Sequence, residues 1–92
     1  MTPAPEMEQY APVNRDELRI ALEREGVQPT AYDLEPGRLS EERYCLAIVP
    51  GGWSVWFAER GRRNNEMFFE TEDEACAELL LRVVTDPTTR RY

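Results

Sequence analysis

"YCLAIVPGGWSVWFAE", residues 44–59, decides the fold. Two runs rich in β-branched and aromatic residues flank a glycine pair, and Gly51 and Gly52 can take the positive φ angles that a two-residue hairpin turn demands. Counting outward from that turn pairs Pro50 with Trp53, Ile48 with Val55 and Leu46 with Phe57 on one face. The other face receives Val49 with Ser54, Ala47 with Trp56 and Cys45 with Ala58, and is smaller and less apolar apart from Trp56. The first face is therefore assigned to the core.

Downstream, "ERGRRNNE" turns the chain at or just after Gly61, and "NEMFFE" returns as a third strand in which Met67 and Phe69 alternate with Phe68. Thr71 then reads as a helix N-cap. Glu74 stands at the capping-box position, and Glu72 and Asp73 occupy the first turn, where the helix dipole favours negative charge by a few tenths to about 1 kcal/mol. Cys76, Leu79, Leu80 and Val83 fall at i, i+3, i+4 and i+7, the spacing of one buried helix face. Cys76 is expected to pack there as a small hydrophobe, because its acidic neighbours raise a thiol's pKa and oppose a reactive thiolate. Cys45, on the outer sheet face, is not expected to bond to it.

Upstream, "VNRDELRIALEREGV" at 13–27 predicts a helix from residue 15. Asn14 is the cap, Glu17 completes a capping box, and Val13 faces Leu18 as a hydrophobic staple. Gly26 supplies the left-handed stop, with Val27 reaching Leu22. Leu18, Ala21 and Leu22 form the apolar face, with Ile20 at its side. Residues 28–43 are turn-like, with a short strand at 31–34.

The order α-β-β-β-α predicts a two-layer α+β domain: an antiparallel sheet of three strands, four if 31–34 joins, with two helices on one face. Residues 1–12 hold three prolines and no apolar period, and read as a flexible arm. The domain is expected over 13–86, followed by a frayed C-terminal tail over 87–92.

Composition narrows the function. Among 92 residues the 18 acidic side chains outnumber 11 basic ones, all arginine, and the net charge is −7 with no histidine. Such a surface repels a phosphate backbone, which disfavours nucleic acid and favours a basic protein partner. No run approaches the roughly 18 to 20 apolar residues that span a bilayer, and 1–12 lacks the basic start and apolar run of a signal peptide, so no membrane association and a cytoplasmic location are expected. Two cysteines 31 positions apart without histidine complete no familiar metal set, and no cofactor is implied. A catalytic set is missing too: the glycines lie in a hairpin turn, and the remaining candidates, Glu41 with Glu42 or Glu59 with Glu66, read as solvated charge. The chain is read as not an enzyme.

The helix–sheet–helix order resembles the double-stranded RNA-binding domain, a family with lysines at the start of its second helix. That position here reads Thr71, Glu72, Asp73, Glu74, and the charge is inverted. The strand and helix half, with Phe69, Thr71, Glu74 and Ala75, is similar to the small sheet domains of phage-type integrases, whose DNA-binding faces are basic; here only Arg60, Arg62 and Arg63 cluster. An acidic, lysine-free chain with "GGWSVWFAERGRR" followed by "FFETEDEACAELL" also resembles the small immunity proteins of bacterial polymorphic toxin systems. This resemblance implies a noncatalytic inhibitor that binds a basic cognate toxin; the chain itself is expected to be a monomer, or a homodimer joined through its outer-face aromatics. The alternative is a small protein-binding or subunit-interaction module. In either case Trp56 and Phe68 are the expected aromatic anchors on the outer sheet face, bordered by Arg60, Arg62 and Arg63 and steered by Glu41, Glu42, Glu59 and Glu66.

Overall fold

A computed structural model describes residues 11–36 and 41–90. Most of the expected arm, residues 1–10, and the last two residues lie outside that range. The chain forms helix α1 (Arg15–Arg24), strands β1 (Tyr32–Asp33), β2 (Arg43–Val49), β3 (Gly52–Glu59) and β4 (Arg62–Phe69), and helix α2 (Glu72–Val84). The sheet order is β1-β2-β3-β4. It is an α+β fold, and the fourth strand is present. β1 pairs parallel to β2, so the sheet is mixed and only its three longer strands are antiparallel.

The first hairpin turns one residue earlier than the glycine pair suggests. Val49 pairs with Gly52, Ile48 with Trp53, Leu46 with Val55 and Tyr44 with Phe57. The corner is Pro50–Gly51, with Gly51 at φ 87°. Proline suits the first corner position, where its fixed φ fits and no N–H is needed, and glycine suits the second, as in a type II turn. Each pair is displaced by two residues from the expected count, so every side chain keeps its face. Gly52 becomes a strand residue, and there its missing side chain matters: a Cβ would overlap the Phe69 carbonyl oxygen of the neighbouring strand.

The core lies between both helices and the first sheet face. Leu18 and Leu22 of α1, Leu46 and Val55 of the sheet, and Ala75, Cys76, Leu79 and Val83 of α2 are all fully buried in one cluster. Ile48 shares the core face, but next to the turn it remains exposed.

The helix ends explain how the layers are locked. Asn14 Oδ1 accepts from Glu17 N at 2.9 Å, and Glu17 Oε1 accepts from Val13 N, one residue before the expected partner. Val13 itself is half exposed. At the other end Gly26 N donates to Glu23 O and Val27 N to Leu22 O, both at 3.1 Å, with Gly26 at φ 75°. That is the Schellman arrangement the sequence predicts. In α2 the Thr71 hydroxyl donates to the Glu74 carboxylate at 3.0 Å, and neither backbone bond of the expected capping box is made: the two side chains bond to each other instead.

Glu72 does more than neutralise its own helix. Its Oε2 accepts the first N–H of α1, from Arg15, at 3.0 Å. The converse holds at the C-terminal ends, where Arg90 Nη1 donates to Glu25 O at 2.6 Å and Nη2 to Val84 O at 3.0 Å. The helices therefore run parallel, with an anion between their N-termini and a cation between their C-termini, each complementing two dipoles. Residues 87–90, read from the sequence as frayed, are pinned. Pro87–Thr89 form a 3-10 turn, Thr89 is buried and bonded to Val83 O at 2.9 Å, and Gln28 N donates to Thr89 O at 2.8 Å.

The second hairpin turns at Arg60–Gly61, between the pair Glu59 and Arg62, with φ 55° and 74°. Two consecutive left-handed residues define a type I′ turn, for which Asn-Gly is the favoured sequence and arginine a strained first residue. Arg60→Asn is expected to raise unfolding stability by about 0.5–1 kcal/mol in denaturant titration. An unchanged or lowered midpoint would show that Arg60 is not strained.

Candidate partner-binding surface

The outer sheet face is built by the residues that alternate with the core positions. Cys45, Ser54, Trp56 and Ala58 are all buried there, with Ala47 packed beside them. A register shift between Val55 and Phe57 places two β4 residues, Asn65 and Glu66, against Trp56, and Asn65 takes φ 55°. This bulge aims Glu66 at Ser54, whose hydroxyl donates to it at 2.5 Å, while Arg63 Nη1 donates to the same oxygen at 2.9 Å. Burial opposes ionisation of Glu66, but the bonds from Ser54 and Arg63 outweigh it and hold the carboxyl below its ordinary pKa. The Arg63 guanidinium lies 3.9 Å from the Trp56 ring centroid.

Trp56 is therefore not the exposed anchor that the sequence suggests. It is 5% exposed, sealed under an ion-paired arginine, whereas Phe68 on the same face is 68% exposed. The bulge also guards the β4 edge, because a strand bent at Asn65 with Arg62 and Arg63 beside it is a poor template for pairing with another chain.

The other predicted residues fall elsewhere. Glu59 and Glu66 are not cross-strand neighbours, since Glu59 opposes Arg62. Glu41 accepts from the Arg60 backbone N–H at the second turn. Beyond the last paired residue, Arg43 opposite Ala58, Glu42 N donates to Ala58 O, which sets Glu42 beside Glu59 at the end of the sheet. Glu42 itself takes φ 54°.

These three acids surround a feature that sequence reading missed. Tyr44 and Phe57 meet on the core face of the sheet with 4.8 Å between ring centroids and their planes tilted by 58°. One concavity of about 490 Å³ opens on one side of them, bounded by Thr30, Glu41, Glu42, Asp86 and Thr88. Another of about 570 Å³ opens on the other side, bounded by Glu59, Asn64, Asn65, Arg82 and Thr85. The cause is a mismatch of lengths. A 13-residue helix is about 20 Å long, whereas an 8-residue strand is about 26 Å, so the sheet outruns α2 and leaves its last aromatic pair as a floor. Proline at 87, which ends the helix, is the signal from which this could have been read.

The floor is rigidly held. Tyr44 OH donates to Asp86 Oδ2 at 2.9 Å, and Asp86 Oδ1 accepts from Thr88 N and Oγ1. Asp86 is lowered from its ordinary pKa, first by the Thr88 hydroxyl and then by Thr88 N and Tyr44 against the effect of burial. Arg82 Nε donates to Glu78 at 2.7 Å, and its Nη1 is buried without an acceptor among the described residues.

Neither thiol belongs to this surface. Cys45 and Cys76 are both buried and are not joined by a disulfide, and burial, then Glu72, pushes Cys76 up to about 12. Burial and the bond to Asp86 push Tyr44 up to about 12 as well. A pKa raised by folding contributes stability below the unfolded value that is lost as pH rises through the folded one. Stability should therefore fall between pH 9 and 12, and Tyr44→Phe should remove its share of that fall. At neutral pH neither cysteine should react with a thiol reagent until the chain unfolds, and mass under nonreducing conditions should show both reduced. Rapid native labelling would contradict this burial.

Among the described residues no three carboxylates or thiols are arranged to hold a metal ion, and no helix is long and apolar enough to cross a membrane. Compared with protein-family models, curated proteins and solved structures, the chain finds no match.

Proposed function

We propose that this chain is a noncatalytic immunity protein of the cytoplasm, which binds a basic toxin and blocks it. The observation that supports this reading best is the unmatched charge around the Tyr44–Phe57 floor. Arg15, Arg19, Arg63, Arg82 and Arg90 are ion-paired with acids elsewhere on the molecule. Glu41, Glu42, Glu59 and Asp86 form no ion pair among the described residues and crowd one end of the sheet, where Arg43, Arg60 and Arg62 are likewise without one.

Carboxylates placed side by side repel one another and weaken a fold by a few tenths of a kcal/mol per pair. A rim of this kind steers a positively charged partner and discriminates against negatively charged ones. Phe68 lies on the opposite face from this rim, so the nine residues singled out from the sequence divide between two surfaces. The acid-rimmed one sets several carboxylates around an aromatic pair, whereas the smaller concavity beside Phe68, of about 150 Å³, holds a single acid, Glu70.

The test is co-expression with the product of the neighbouring gene in a host that the product otherwise kills. Survival is expected with the intact chain. Death of the host would remove the immunity reading, and retention of some other basic protein by the purified chain would then favour the subunit-interaction module.

A further inference from the structure

We infer that the groove over Tyr44 and Phe57 takes an arginine side chain of the protein partner, held between the Glu42 and Glu59 carboxylates. This rests on the partner-binding reading above and names the contact within it. Two rings in contact, tilted by 58° to each other, form the floor, and the face of an aromatic ring attracts a guanidinium that lies flat upon it. Arg63 over Trp56, at 3.9 Å on the other face of the same sheet, is this chain's own instance of such a contact, completed by Glu66. The groove presents acids and rings in the same way, with two arginines of its own, Arg43 and Arg82, along its concavities.

The chemistry separates arginine from other occupants. A divalent cation would need three or more acids converging on one point, an arrangement not found among the described residues. Lysine is a compact, strongly hydrated charge that gains less from a broad aromatic floor. Arginine is planar, stacks on rings and can donate in two directions to separate carboxylates. Neither arginine of the groove fills this place: Arg82 is engaged by Glu78 at 2.7 Å, and Arg43, opposite Ala58, alternates onto the outer face of the sheet.

The probe is the capped tripeptide acetyl-Gly-Arg-Gly-amide, titrated into the intact protein and followed by backbone amide NMR shifts, with acetyl-Gly-Gln-Gly-amide as the neutral control. The expected result is weak, salt-sensitive binding with shifts concentrated at Tyr44, Phe57, Glu42 and Glu59, weakened at least about fivefold by Glu42→Gln with Glu59→Gln. The double variant relieves repulsion and should melt no lower than the parent, so loss of binding cannot be ascribed to unfolding. Equal shifts from the glutamine peptide, shifts centred on Phe68, or binding indifferent to the double variant would each overturn the inference. The two proposals fail separately: host rescue that is indifferent to the double variant refutes the arginine contact alone, and arginine binding in a protein that rescues no host refutes the immunity reading alone.

Discussion

Leu79→Ala should cost about 3 kcal/mol of folding stability, within a range of about 2–5 kcal/mol for emptying a fully buried leucine site. Leu79 has no exposure and sits on the face of α2 that meets both α1 and the sheet. A domain of this length has a total stability of about 5–14 kcal/mol. Such a loss removes a large fraction of it. Denaturant unfolding followed by tryptophan fluorescence would measure the loss, because Trp53 packs against the same cluster. A change below about 1 kcal/mol would mean that α2 does not seal the core as described.

Gly52→Ala should destabilise by about 1–3 kcal/mol, although it adds one methyl group at a strand position that is not left-handed. The added Cβ would meet backbone, the Phe69 carbonyl oxygen, where a side chain could have swung aside. β4 would have to move away from β3 beside the first hairpin, weakening the pairs Trp53 with Phe69 and Ser54 with Phe68. Amide exchange should then quicken in β4 before it does in α1. The same substitution at Gly51 has a different cause, since that residue needs φ 87° and has open space around it. Loss at both positions with accelerated β4 exchange at Gly52 alone would separate the two effects. A Gly52→Ala protein as stable as the parent would show that the strands do not approach so closely.

The sequence carried the elements further than it carried their ends. Amphipathic spacing in 15–24 and 72–84, the two strands of the first hairpin and the two faces of the sheet were all legible, because each rests on a period within one segment, whereas the register of that hairpin was displaced by two residues. The turn at Pro50–Gly51 was also within reach, because the demand of proline for a corner outweighs the attraction of a glycine pair. Contacts between distant segments were not. Nothing local links Glu72 to the first N–H of α1, 57 positions away, or Arg90 to Glu25. Those two side chains turn a frayed-looking tail and a helix cap into the clasp of the parallel helices.

The candidate surface follows the same division. Residue types pointed to aromatic anchors among charges, and Phe68 is indeed exposed. Trp56 is covered because a bulge, invisible as a period in the sequence, swings Glu66 and Arg63 over it. Phe57 read as core because alternation places it on the core face, which Tyr44 shares, and only the length of α2 relative to the strands leaves the pair open.

The central claim, that a basic partner docks on the acid-rimmed aromatic groove, is tested most directly by calorimetric titration of the purified chain against the product of the neighbouring gene. Parent protein, the pair Glu42→Lys with Glu59→Lys, and Phe68→Ala would be compared at two salt concentrations. The expected result is that charge reversal weakens binding by about 100-fold or more, that added salt weakens the parent, and that Phe68→Ala changes little. Tight binding that survives charge reversal and collapses in Phe68→Ala would place the interface on the outer sheet face and contradict the account.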